Sequence, residues 1–219
     1  MKRLTVVFSF GTLALLGLLL APRAPAVAAE KTAAAATAPT MSATDLRNGM
    51  RKLWLDHTTY TRSYIISAVA GLPDLATVTQ RLLRNQDDIG AAVRPIYGEE
   101  AGKKLAALLR DHILIAADIV KAAKASDGKA VDAGQKKWRG NADDLATFLS
   151  GANPNWKKPA LTDMLYKHLD FTTTEVVSRL KKDWPADMKA YDQGHDHMLM
   201  FSDMLSDGII KQFPKKFSK

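Results

Sequence analysis

Residues 184–213 read WPADMKAYDQGHDHMLMFSDMLSDGIIKQF, and the way this stretch lies on a helix decides the fold class. Met188, Tyr191, His195, Met198, Ser202, Leu205 and Ile209 recur at alternating steps of three and four, which is one face of an α-helix. His195 therefore shares a stripe with methionines and leucines, while His197 points off it. Asp192 lies one turn before His195, and Asp203 falls on much the same face. An imidazole or a carboxylate on a buried stripe needs a partner, because an unpaired polar group in the core is costly. The stretch thus predicts a polar site inside a helical bundle.

Three other segments repeat the pattern, each with one histidine on its apolar seam. Residues 43–70 carry Leu46, Met50, Leu53, His57 and Tyr64; residues 99–125 carry Leu105, Leu108, His112, Ile115 and Ile119. Residues 159–181 carry Leu161, Leu165, His168, Thr172, Glu175 and Leu180. Glu99 and Glu100 suit the positive end of a helix dipole, and Lys121 and Lys124 its negative end. Residues 75–93 predict a helix, irregular around 85–90 and closed by Pro95 and Gly98. Residues 129–149 predict another, with Trp138, Asn141, Leu145 and Phe148 on one face. Gly71-Leu72-Pro73-Asp74, Asp127-Gly128 and Asn153-Pro154-Asn155 break the pattern, Pro185 starts the last helix and Pro214 stops it. No segment alternates as a strand does. The expectation is an all-α, up-and-down antiparallel bundle of five or six helices over residues 43–214, followed by a basic tail at 215–219.

Ahead of the bundle, Lys2 and Arg3 precede an apolar run from Leu4 to Leu20 and a small-residue Ala26-Val27-Ala28 site, as in an export signal over residues 1–28. The run approaches the length of a short membrane span. Pro22, Pro25 and the alanines that follow it so closely favour cleavage, leaving an exported protein with no stable membrane insertion. Residues 29–42 show no periodic face and predict a disordered linker. The formal charge of +8 falls to +5 without residues 1–28, and Lys211, Lys215, Lys216 and Lys219 supply part of that remainder. This modest balance is that of a helical protein with many surface lysines, and export argues against nucleic acid as a partner.

Cysteine is absent, which excludes disulfides, thiolate nucleophiles, iron–sulfur ligation and a lipoprotein anchor. Any bound metal must rely on histidine, methionine and carboxylates. Four histidines on four helix seams, His57, His112, His168 and His195, with Glu175, Asp192 and Asp203 as ligands or orienting acceptors, predict a site for a transition metal such as Zn, Cu or Fe. The chain contains no Glu-x-x-His, only Asp192-x-x-His195, which argues against a di-iron carboxylate enzyme. Copper is suggested by His195-Asp196-His197-Met198-Leu199-Met200, although Met198 and Met200 cannot share one helix face. Gly98-Glu-Glu-Ala-Gly102-Lys103-Lys104 is one residue too short for a phosphate loop and carries acids where phosphates would sit. No nucleotide is expected. His57-x-x-Tyr60-Thr61 and His168-x-x-Phe171-Thr172 echo each other, a hint of two related halves. The competing readings are a structural or interaction protein without metal, and a metal-dependent redox or hydrolytic enzyme.

The stretches LWLDHTTYTRSYIIS, LPDLATVTQRLLRNQDDI, IYGEEAGKKLAALLRDHILIAADIVKAAKASD, WRGNADDLATFLSGANPNW, MLYKHLDFTTTEVVSRL and MLSDGIIKQFP lie between Leu53 and Pro214. Across them the chain resembles a group of exported or cell-associated bacterial helical-bundle proteins of unknown function. Members of that group carry labels such as glycosyltransferase or acetylglutamate kinase. The resemblance implies a helical fold and includes His57, His112 and His168. Neither labelled activity follows from it, since the chain lacks the α/β pattern and nucleotide-binding loops those reactions need. Mass spectrometry of the native protein should find a mature N-terminus near Ala29 or Glu30. An intact Met1 in a membrane fraction would instead identify residues 1–28 as an anchor.

Overall fold

The computed structural model describes residues 41–218; the expected export segment and most of the expected linker lie outside them. Ser42 opens the first helix: its Oγ accepts from the Asp45 amide at 2.9 Å and caps α1 (Ala43–Ala70). Gly71 ends that helix with φ of 68°, a left-handed conformation that a side chain resists. Then follow α2 (Leu75–Tyr97), α3 (Glu99–Lys124), α4 (Gly128–Ala152), α5 (Lys158–Leu180) and α6 (Trp184–Gln212). Asp127 and Asp183 cap α4 and α6 by accepting from the Ala130 and Ala186 amides at 3.0 and 3.1 Å.

The six helices run up and down, each packed on the next, and α6 returns along α1 to close the ring. Short connections make each helix antiparallel to its neighbour. The odd-numbered helices α1, α3 and α5 also touch one another across the middle. Their inward residues are therefore the ones that meet at the centre of the bundle. Trp54 of α1 and Phe201 of α6 meet edge to face at 5.0 Å, and Ile89, Ala142, Leu161 and Ile209 are fully buried around them. Among the described residues no helix is long and apolar enough to cross a membrane.

Three details depart from the sequence expectation. α2 is continuous through residues 85–90, because Asn85 Nδ2 donates to the Leu53 carbonyl of α1 at 3.0 Å and Gln86 Nε2 to Leu82 O at 2.7 Å. Asn85 Oδ1 in turn accepts from Gln86 Nε2 at 3.1 Å, so Asn85 is satisfied within the fold, while Gln86 Oε1 has no partner among the described residues. α2 also runs past Pro95 to Tyr97: the proline forfeits one hydrogen bond, to the Ala91 carbonyl, and the helix ends two residues later. Finally, the chain outside 43–214 is not featureless: Met41–Ser42 (β1) pairs in parallel with Phe217–Ser218 (β2), and Phe217 packs against the core.

Two helix contacts require glycine. A Cβ at Gly90 would stand 2.6 Å from the Gly102 carbonyl oxygen, and one at Gly208 would stand 2.0 Å from Trp156 Nε1. Gly140, exposed in α4, has nothing within 4 Å of such an atom. Gly90→Ala should therefore destabilise the protein by about 1–3 kcal/mol, as overpacking does. Gly140→Ala should stabilise it by about 1 kcal/mol through helix propensity. Urea unfolding of both variants checks the α2–α3 contact, and equal effects would contradict it.

Candidate functional site

The inner helices each carry one histidine at the centre. His57 (α1), His112 (α3) and His168 (α5) are all nearly fully buried. Ring centroids of His57 and His168 lie 5.5 Å apart, and those of His112 and His168 lie 5.8 Å apart with the planes inclined by only 21°. His168 is thus the middle of the three. Trp54 walls the His57 side at 5.9 Å and Trp138 the His112 side at 5.1 Å. The sequence reading has four seam histidines converging; the structure brings together His57, His112 and His168.

Burial decides their charge. Removal from water disfavours imidazolium, and each ring also feels its neighbours. Burial, with His112 adding to it and Gln86 opposing it, lowers His57 to about 3. Burial lowers His112 to about 4 against the effect of Asn141. His168, buried and facing His57, His112 and His197, is held well below the usual histidine range. All three are neutral at pH 7.

His112 has its tautomer set by the fold. Asn141 Nδ2 donates to the Leu108 carbonyl at 3.0 Å, which turns Asn141 Oδ1 toward His112 Nδ1 at 2.8 Å. The oxygen can only accept, so Nδ1 carries the proton and Nε2 keeps its lone pair. An outer carboxamide that orients an imidazole in this way is a feature of ligating histidines. The Nδ1 atoms of His57 and His168, by contrast, have no hydrogen-bond partner among the described residues.

His168 also lines a cavity of about 20 Å³ between α1, α5 and α6, together with Thr58, Thr61, Thr172, Glu175, Tyr191 and His195. Both members of the H-x-x-aromatic-T echo place their threonine here. Glu175 is buried and accepts from Arg62 Nη1 at 2.8 Å; burial raises its carboxyl to about 7 against the pull of Arg62. Arg62 is shared with Asp187, whose Oδ2 takes Arg62 Nη2 at 2.9 Å and Arg179 Nη1 at 2.8 Å. Burial works against charge in this group as well, yet the two arginines hold Asp187 below the ordinary carboxylate range.

Four expectations are corrected by this geometry. His195 is not in the buried seam: its side chain is 34% exposed, at the edge of the cavity. His197, expected to point outward, is buried, and its Nε2–H donates to the Met164 carbonyl at 2.7 Å. Asp192 is exposed. Asp203 faces Arg51, which donates to both its oxygens at 2.7 Å, and takes no part in the site. The reason lies in α6, which packs on α1 and α5 together and buries two adjacent stripes instead of one. Asp187 and Ala190 are buried at its start, where Met188 and Tyr191 were expected. Met198 is buried and Met200 is 58% exposed, so the methionines do not join the histidines.

Asn141 stood on the apolar face of its helix in the sequence, but nothing there linked it to His112. Arg62, Arg179 and Asp187 were missed outright, since pairing between distant helices leaves no local signature. Among the described residues, no group of three or more His, Asp or Glu stands in metal-ligand geometry. Fold and site define a six-helix up-and-down bundle with a centre of buried, neutral histidines. No protein-family model, curated protein or solved structure matches the chain.

The buried rings should make the protein acid-labile. Unfolded, each histidine takes a proton near its ordinary 6.5; folded, it refuses one until well below that. The unfolded state therefore binds more protons below pH 6.5, and stability falls by about 1.4 kcal/mol per pH unit for each imidazole. Glu175 has the opposite sign: between its ordinary 4.5 and about 7 the folded state holds the extra proton. Three imidazoles outweigh one carboxyl. Urea melts at pH 7 and pH 5 should show a marked loss of stability at pH 5, and His57→Leu should reduce that pH slope. A flat profile would contradict burial of neutral rings.

Proposed function

We propose that this is an exported helical-bundle protein whose central histidines, His57, His112 and His168, bind a transition-metal ion in a holding rather than a catalytic role. What carries the reading is the contrast between His197 and the central rings. His197 is a buried histidine satisfied by a backbone carbonyl, as a purely structural one is. His57 and His168 leave Nδ1 unpartnered in an apolar interior, which costs about 1–3 kcal/mol for each atom. His112 has its lone pair fixed on Nε2 by Asn141. Neutral imidazole is the form that ligates metal, and two of them on one tetrahedral ion have ring centroids about 5 Å apart. The separations of 5.5 and 5.8 Å are close to that. The choice among Zn, Cu and Fe rests on the ion offered.

The cavity beside His168 argues against an organic substrate. About 20 Å³ is room for a single water-sized guest. The second reading, a structural protein whose histidines serve packing alone, is favoured by the near-parallel stacking of His112 on His168 and by the lack of ligand geometry in the present arrangement.

Metal analysis and thermal melts of protein made without a histidine tag separate the two. Under the metal reading, micromolar Zn(II) or Co(II) raises Tm by mass action. His112→Ala abolishes that gain, Asn141→Leu weakens apparent affinity by about 10–100-fold, and Asp192→Ala and Asp203→Ala leave it unchanged. His197→Ala lowers Tm with or without metal but keeps the metal-dependent increment. No increment in the unaltered protein would leave the structural reading.

A further inference from the structure

We infer that the cavity between α1, α5 and α6 is the passage by which an ion reaches the buried histidines, with His195 at its mouth, His168 at its floor and Gly194 keeping it open. The inference rests on the metal-binding reading and adds a route and a rate-controlling residue to it. Of the three central histidines, only His168 lines this cavity; His57 and His112 lie behind it on either side. The half-exposed His195 lines the same cavity, so the two rings mark its inner and outer limits. The walls suit a cation that is shedding water. Thr61 Oγ1 is buried and has no hydrogen-bond partner among the described residues, while the Thr58 and Thr172 hydroxyls add further oxygens. Arg62, bonded to Glu175 of these walls, is also engaged by Asp187.

Gly194 also lines the cavity. A Cβ at this position would lie 3.4 Å from Phe171 Cβ, an ordinary contact, so alanine fits, whereas leucine adds three further carbons at the cavity wall. Two other hollows approach the centre without serving it. The one between α3, α4 and α5 is lined by Ile119, Val131, Trp138 and Val176, and presents almost no ligand atoms. The open groove over α3 and α4 holds Asp111, Asp118, Asp143 and Asp144 and includes Gly140, but it stops at Asn141 and Leu108. The hydrogen bond from Asn141 Nδ2 to Leu108 O closes it off from His112.

Stopped-flow absorbance with Co(II), and release of bound Co(II) to excess chelator, test this on the unaltered protein and on Gly194→Leu, His195→Trp and Gly140→Leu. Gly194→Leu should slow both association and release by about tenfold or more while leaving Kd nearly unchanged, because it raises a barrier and removes no ligand. Gly140→Leu, which fills the acidic groove, should leave both rates as they are. Unchanged rates in Gly194→Leu, or slowing confined to Gly140→Leu, would overturn the passage while metal binding stands. If circular dichroism shows Gly194→Leu unfolded, His195→Trp at the partly exposed mouth decides: slower exchange at equal Kd supports the passage, and unaltered exchange overturns it. Absence of Co(II) binding in the unaltered protein is a different result, and would remove the metal reading and the passage together.

Discussion

An imidazole taken out of water gives up its proton sooner than carry charge into an apolar interior, and α1, α3 and α5 each bring one such ring to the centre of the bundle. Most of the surrounding polar structure can be read as a response to that. Asn141 turns its carboxamide oxygen toward His112 and is anchored through its nitrogen to the Leu108 carbonyl. The two tryptophans close the ends of the row. What the fold does not supply is a partner for Nδ1 of His57 and His168. A protein that needed only filled space there would be more stable with leucine.

The charged counterpart to this neutral centre lies one step outward. Arg62 of α1 bridges Glu175 of α5 and Asp187 of α6, and Arg179 completes the group. Loss of one member of such a buried group typically costs about 3–5 kcal/mol, because it strands the others. The network therefore ties together the three helices that surround the cavity at His168. Walls tied in this way are rigid. They explain why a polar opening can persist beside a core packed as tightly as that around Trp54 and Phe201.

A bundle of five or six helices, most helix ends and the inward position of His57, His112 and His168 were legible in the sequence, because each depends on local rules. Periodicity near 3.6 sets the buried stripe, Ser42, Asp127 and Asp183 supply caps, and Gly71 supplies a left-handed stop. The reading of α6 failed for a reason equally physical. A single stripe assumes one neighbour, whereas α6 lies against both α1 and α5. Its second neighbour offered His197 the Met164 carbonyl, and Arg62 with Arg179 drew Asp187 inside, which displaced Met188 to the surface.

By itself, then, the sequence determined an all-α bundle and named three of its central side chains, since hydrophobic period and capping act within a few residues of each position. Only the tertiary structure decided that those three rings form a row, that Asn141 sets the tautomer of one of them, and that His195 stands at the edge of a cavity and not at the centre. Those outcomes depend on which helices meet and at what rotation. They arise from contacts between residues dozens of positions apart, and no local rule encodes them.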